Sequence, residues 1–407
     1  MKLLICETHP VQYRAPVYAA LQRLVPDQFL VLYASDFSVR GYEDKAFETS
    51  VAWDVPLLSG YPFKVLGNLR GRGIDHWSGL GGRGVSEVFE VSSPKAVLLC
   101  SFQYLYCWRV MLEAAVRRTR LWIRMETQDR AFSRSKTKGV MRHFIYRILY
   151  SSVAHAFYIG EENRAHLLRH GVNPRNLSAA RYCTPNRIGR LPLDEKEARR
   201  SRLRSELGVL PGQILVAYSG KMISKKDPLL LLECAKRLGT QSERAICILY
   251  VGSGPLDAEL KETAEALRRS TGIRTLFVGF VNQTAIGDYY LASDILVLPS
   301  RRMGETWGLV VNEALEAGCG VVVSDAVGCR SDFGHLERFR VIPVGDADAL
   351  ASSIAELGRM PRDFLWCQDF MEGYSVESAA KAIAVEVDRL EAVDTACTPS
   401  SQGNPDR

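Results

Sequence analysis

The chain has 407 residues, 47% hydrophobic and 24% charged, a length for two or three domains and a composition that supplies two cores and excludes a mostly disordered, collagen-like or coiled-coil protein. No run of about 18 apolar residues occurs, so no membrane-spanning helix is expected, and Met1-Lys2-Leu3-Leu4-Ile5-Cys6-Glu7 turns acidic too early for a secretion signal. Residues 1–190 hold 27 Lys and Arg against 15 Asp and Glu, a net +12, while the remainder is net −6, which suggests two domains with different partners.

In chain order, short apolar runs alternate with helix-length amphipathic segments. Strands are expected at 2–6, 28–33, 96–100, 121–125 and 156–159, then at 213–218, 245–251, 274–278, 295–298 and 320–323. Helical patterns lie between them at 107–117, 138–150, 161–170, 227–238, 256–269 and 309–317. Strands that are apolar throughout and separated by helices imply parallel sheets covered on both faces, so the fold class is α/β with two doubly wound, Rossmann-like domains. The break falls at 191–212, where Pro192, Gly208, Pro211 and Gly212 bracket a charge-dense stretch, read as a linker with some helix inside. Trp366, Phe370 and Tyr374 recur every four residues, a spacing that gives one buried helical face. From 393 to 407 the chain is rich in Ser, Thr, Pro and Asn and reads as a disordered tail. The ten cysteines have no Cys-x-x-Cys spacing, which suggests reduced thiols in a cytoplasmic protein.

The chemistry concentrates in 299–318. This stretch follows the strand 295–298 and opens a helix, so its loop lies at the carboxyl end of a parallel strand, where open α/β sheets bind ligands. The helix start offers free amides and a partial positive charge suited to phosphate. Glu305 sits in the loop and Glu313 eight residues on, in the helix. Upstream, Ser219-Gly220-Lys221-Met222-Ile223-Ser224-Lys225-Lys226-Asp227-Pro228 puts lysines in a strand-to-helix turn, and Val251-Gly252-Ser253-Gly254-Pro255 follows another strand. Each alone has a plain structural reading, a solvated turn or a tight glycine bend.

Taken together, Glu305, seven residues, Glu313, with Gly308-Leu309 between and Ala314, Leu315 and Gly318 after, preceded by Gly220-Lys221…Lys226 and Gly252-Ser253-Gly254-Pro255-Leu256, resemble the donor-binding domain of glycosyltransferase family 4, the group 1 glycosyl transferases of GT-B architecture. Gly345-Asp346-Ala347-Asp348-Ala349-Leu350 matches the family's closing turn and helix. The resemblance is close over about a third of the chain and extends to the first half only in layout. It implies a 1–190 acceptor-side domain, a 213–362 domain binding a nucleotide sugar, and a 363–392 helix crossing back to the first domain. It also implies a retaining hexosyltransferase-like enzyme without metal or other cofactor. Glu305, Lys221 and Lys226 would be catalytic: Glu305 on the donor sugar, the lysines on the diphosphate. Gly220, Thr306, Trp307 and the amides of Gly308, Leu309 and Val310 would line the donor, with Glu313 on the ribose hydroxyls. Asp346-Ala347-Asp348 looks like a metal-binding pair but stands where a helix cap is expected.

Departures from the family pattern mark where the expectation thins. Lysine stands at 221 where the family commonly has Arg, and Asp227 where it commonly has Gly after the lysine. The loop after the first strand, Thr8-His9-Pro10-Val11-Gln12-Tyr13-Arg14, has no glycine. His9 and Arg14 are candidates for the donor phosphate or the acceptor, with a structural role as the alternative. Glu126 stands near where relatives place a His, as a sugar or acceptor ligand or as the ion-pair partner of Arg124.

Residues 109–150 hold eleven basic residues and three acids. Either this is a face for an anionic membrane, or a core-packed helix with a solvated basic side. No nucleic-acid motif is present. The expectation is a transferase moving sugar from a UDP- or GDP-sugar to a saccharide or lipid-linked saccharide acceptor in surface polysaccharide or glycolipid synthesis, cytoplasmic or peripheral on a membrane's cytoplasmic face. The alternative is a non-catalytic nucleotide-sugar-binding or scaffold subunit.

Overall fold

The apolar runs at the head of each half become the central strands of two parallel sheets in the computed structural model, which describes residues 1–39, 41–44, 49–51, 53–69, 74, 76–242 and 244–395. The first half supplies β1 (Leu3–Glu7), β2 (Phe29–Tyr33), β3 (Tyr42–Asp44), β4 (Thr49–Val51), β5 (Phe63–Val65), β6 (Ala96–Leu99), β7 (Arg120–Ile123), β8 (Val153–Tyr158) and β9 (Leu177–Ala179). Helices α1 (Ala15–Leu24), α2 (Val85–Ser92), α3 (Leu105–Val116), α4 (Lys136–Ser151) and α5 (Glu161–Arg169) connect them. The second half supplies β10 (Ile214–Ser219), β11 (Ile246–Val251), β12 (Arg274–Phe277), β13 (Ile295–Leu298), β14 (Gly320–Ser324) and β15 (Phe339–Ile342). Around them run α6 (Leu193–Glu206), α7 (Leu229–Gln241), α8 (Asp257–Thr271), α9 (Ile286–Ala292), α10 (Leu309–Glu316), α11 (Arg330–Phe333), α12 (Ala347–Arg359), α13 (Gln368–Met371) and α14 (Val376–Thr395).

The first sheet has the order β5-β2-β1-β6-β7-β8-β9 and the second β12-β11-β10-β13-β14-β15. All pairings within both are parallel, and β3 and β4 form a separate antiparallel pair. Both sheets reverse direction of winding at their first strand, between β1 and β6 and between β10 and β13. That reversal leaves a crevice beyond the strands' carboxyl ends. Strands β1, β10 and β11 are buried along their whole length, as their unbroken apolar runs require.

Three expected segments take definite form. The helix expected inside the 191–212 linker is α6, which packs on the second half. Arg200 reaches the carbonyls of Leu291 (2.9 Å) and Ala292 (2.8 Å) and the Asp294 carboxylate (2.5 Å), and Arg204 also binds Asp294 (3.1 Å). The 363–392 helix is interrupted: α13 is a single short turn and the long helix starts at Val376, while Phe364, Cys367, Met371 and Tyr374 sit in the core beside α10 and α11. Helix α14 then packs on the first half, setting Ala380, Ile383, Val387 and Leu390 into the core of β1, β2 and α1. It runs to Thr395, so 393–395 are helical, and the rest of the expected tail lies outside the described residues.

Asp346 caps α12, its carboxylate accepting from the Ala349 amide at 2.9 Å, so this acidic pair serves as a helix start.

Candidate functional site

The loops after β1, β6 and β7 face those after β10 and β13 across a cleft of about 1010 Å³. Its walls include His9, Arg14 and Glu126 from one side and Gly220, Lys221, Lys226, Glu305, Thr306, Gly308, Leu309 and Val310 from the other. A side chamber of about 170 Å³ is lined by Ser219, Gly220, Val251, Gly252, Tyr290 and Glu313. Gly220, Leu309 and Val310 line both spaces, so they are continuous. The sequence-selected residues of the second half therefore meet in one place.

Glu305 is buried at the cleft floor. Lys226 Nζ lies 2.5 Å from its Oε2, and Ser300 donates to the same oxygen at 3.2 Å. Burial pushes this carboxyl up, but Lys226, Lys225 and Ser300 outweigh it and hold it below the usual range. Lys225, unmarked in the sequence reading, donates to the Gly304 carbonyl at 2.9 Å and so fixes the loop carrying Glu305. Glu313 receives a hydrogen bond from Tyr290 at 2.8 Å, and Tyr290 in turn contacts Ser219 at 3.0 Å. Burial drives the Glu313 carboxyl up to about 7, against the Tyr290 hydroxyl that stabilises its anion. Gly308 opens α10 at φ 104°, and Leu298 and Val327 crowd the space a Cβ would fill, so glycine alone sets the α10 amides against the cleft.

Trp307 also stands in the cleft wall. Its side chain is core: it lies edge-on to Tyr182 and Phe333 and stacks with Tyr374, and its indole donates to Asn312 at 2.8 Å. A Cβ on Gly160 would fall 2.0 Å from its ring, so Trp307 is a wedge seated on the first half.

On the first side the structure spends two candidates internally. Arg14 donates to Glu7 (2.7 Å), Glu126 (2.9 Å) and Tyr182 (3.1 Å), which makes it the centre of a buried network rather than a free phosphate ligand. Glu126 accepts from Arg14, Tyr13 and Tyr182, while its Oε2 faces Thr306 at 3.4 Å across the cleft. Burial raises the Glu126 carboxyl, but the Arg14 charge and the tyrosine hydroxyls hold it below its ordinary range. Arg124 is not its partner: it donates to the carbonyls of Ala180 (3.0 Å) and Arg181 (3.1 Å). His9 bonds Thr8 at 2.9 Å, and burial lowers its imidazole to about 4, so it faces the cleft neutral. Its contact with a ligand would be a hydrogen bond, not a charge.

Two contacts between the halves escaped the sequence because they join residues nearly 180 positions apart. Gln128 donates to the carbonyls of Glu305 and Thr306, each at 3.2 Å, and the Gly304 amide donates to Ala131 at 2.8 Å. Behind this loop, Asp129 accepts from His166 (2.8 Å), His170 (3.2 Å) and Arg169 (3.1 Å). That cluster anchors the 126–132 loop to α5.

The family described as glycosyl transferases group 1 matches residues 199–363. A D-inositol 3-phosphate glycosyltransferase 2 of Catenulispora acidiphila is 30% identical over 196 residues, 47% of this chain and 43% of that protein. The 2-deoxystreptamine N-acetyl-D-glucosaminyltransferase of Streptomyces fradiae is 29% identical over 152 residues, 37% of this chain and 35% of its own. The matched region thus spans under half the length of these curated relatives. Anabaena Alr3699/HepE in complex with UDP and glucose shares the fold over 98% of this chain and 100% of its own, with TM-score 0.60 and 16% identity. A glycosyltransferase from Rickettsia africae does so over 96% and 98%, with TM-score 0.67 and 11% identity. Residues 199–363 are therefore similar to the glycosyl transferases group 1 family, in a chain with the GT-B fold.

Proposed function

We propose that the chain transfers a sugar from a nucleotide-sugar donor, UDP- or GDP-linked, to a saccharide or lipid-linked saccharide acceptor, with retention at the anomeric carbon. The observation that carries this reading is the pairing of a buried Glu305–Lys226 contact on the cleft floor with Glu313 in an adjoining chamber. The chamber suits a nucleoside: ionised Glu313 accepts from ribose hydroxyls, and Gly252, close-packed on Gly220, leaves the wall flat. The diphosphate then lies over the α10 amides and within reach of Lys221 and Lys226, and the sugar meets Glu305.

Transfer breaks the bond between the anomeric carbon and the diphosphate oxygen and forms one to the acceptor hydroxyl on the same face. Negative charge grows on the departing oxygen, and fixed lysines and helix-end amides stabilise it in a water-poor cleft. The leaving phosphate takes the acceptor's proton. Glu305 orients and stabilises the sugar, and Lys226 neutralises that carboxylate. The HepE complex with UDP and glucose supports such a ligand class on this fold.

The test is thermal protection of the purified chain by UDP, GDP, ADP and their sugar conjugates without added metal. One nucleotide should raise Tm selectively, since a ligand at 100 times its Kd adds about 2.7 kcal/mol. Glu313→Ala should abolish the rise. No protection by any of them in a folded chain overturns the reading. Binding that Glu313→Ala removes, without turnover of any acceptor, favours the non-catalytic subunit.

A further inference from the structure

Helix α4 presents an apolar stripe to the outside. Of its sixteen residues only Tyr150 is buried. Val140, Met141, Phe144, Ile145 and Ile148 are 49–73% exposed. At about 100° per residue these five fall within one stripe roughly 140° wide. Lys136 and Arg147 stand along one edge of it and Lys138 along the other, and the helix contains no acid. Its opposite side carries Arg142 and Tyr146, which line the cleft. The helix is therefore a wall with the cleft on one face and solvent on an apolar, cation-edged other.

The surroundings extend this face. Helix α3 shares a core with α4 on the same side of the first sheet, through Tyr106, Val110 and Tyr150. It exposes Trp108, Leu112 and Val116 at successive four-residue spacing. The three acids of this region are already engaged. Glu113 pairs with Arg117 at 3.1 Å, Glu126 with Arg14 at 2.9 Å, and Asp129 with His166 at 2.8 Å. The cations on the stripe's edges thus have no carboxylate of this region set against them.

We propose that the α4 stripe docks on the surface of a bilayer containing anionic lipid, lying in the interface with its lysines and arginine at headgroup level. An apolar centre with cationic edges matches the depth profile of such a surface, acyl chain beneath and phosphate around. No helix among the described residues is long and apolar enough to cross a membrane, so the contact is with one face. A second copy is the poorer occupant, because a two-fold contact through this stripe would set cations against cations. Docked this way, the chain holds its cleft wall against the lipid, and a lipid-carried acceptor would reach Glu305 without leaving the interface. That last consequence rests on the transfer reading; the docking does not.

The experiment is co-sedimentation of the full chain with phosphatidylcholine vesicles, with and without phosphatidylglycerol. The chain should pellet with the anionic vesicles and stay in solution with the neutral ones. Replacing Lys136, Lys138 and Arg147 together by Gln should weaken binding roughly 100-fold, about five-fold for each cation. Phe144→Ser with Ile148→Ser should also release the chain. Both variants change exposed side chains and should keep the parent's Tm and its protection by nucleotide, which separates failure here from failure of the donor site. No binding to anionic vesicles, binding unchanged in both variants, or a dimer that both variants split into monomers would overturn the proposal.

Discussion

Asp227 holds a left-handed backbone, φ 52°, a region that favours glycine. The family pattern commonly has glycine there, so backbone geometry explains what side-chain chemistry alone could not. Asp is accommodated because Arg301 clamps its carboxylate at 2.7 and 2.8 Å, and the turn in which they sit delivers Lys226 to Glu305. Two substitutions separate conformation from charge. Asp227→Gly and Asp227→Ala both lose the Arg301 pair, but only Ala retains the strained φ. Chemical denaturation should therefore find Asp227→Ala about 1 kcal/mol less stable than Asp227→Gly. Equal stabilities would mean that the backbone conformation carries no strain. At this scale the sequence was legible where a residue's neighbours along the chain define its setting, as for Glu305, Gly308 and Glu313. It was opaque for Arg14, whose partners Glu126 and Tyr182 are 112 and 168 positions away. The packing of the Trp307 ring was hidden for the same reason: its setting is made by Gly160 and Tyr374, which nothing in the local motif announces.

Between elements, the decisive contact is the loop after β7 laid against the loop after β13. A Cβ on Gly328 would stand 1.9 Å from the Thr306 carbonyl oxygen and 2.9 Å from Gln128 Nε2. Gly328→Ala must therefore push the 305–306 loop off Gln128. Stability should fall by about 2 kcal/mol, and nucleotide protection should weaken with it. Gly139→Ala is the counterpart, in α4 with open space around the new methyl, and should leave protection unchanged while adding about 0.5–1 kcal/mol. Thermal melts of both variants with and without nucleotide decide the matter. If Gly328→Ala binds nucleotide like the parent, the loop contact does not shape the proposed donor site. The long central strands were legible because an unbroken apolar run has few other uses. The edge strands β5 and β9 are three residues each, too short to carry a pattern. Helix α6 was veiled because its arginines are spent on Asp294 and on carbonyls of α9, contacts that look in sequence like a solvated charge run.

For the whole molecule, buried acids of opposite behaviour set the response to pH. Glu313, raised to about 7, and Asp332, raised to about 6 chiefly by burial, add stability that is complete below their unfolded values of 4.5 and 3.8. It is lost as pH rises through 6 and 7, a loss of about 3 kcal/mol from Glu313 alone. Glu305, Glu126 and Asp294 are held low, so their contribution is present above the unfolded values and is lost as pH falls. The ligand-free chain should be most stable near about pH 5 and should lose Tm steadily toward pH 8. Glu313→Gln should flatten the upper limb. A Tm that climbs from 5 to 8 would show that Glu313 is ionised and solvated in the free chain. The placement of α14 has a consequence in time. The last strand of the first sheet ends at Ala179, yet the core of that lobe is closed by residues 376–390, about 200 residues later. At 5–20 residues per second, the ribosome takes roughly 10–40 s to supply them. The half of the molecule made first is thus the half finished last, and until α14 emerges the apolar face that it covers stays open to solvent.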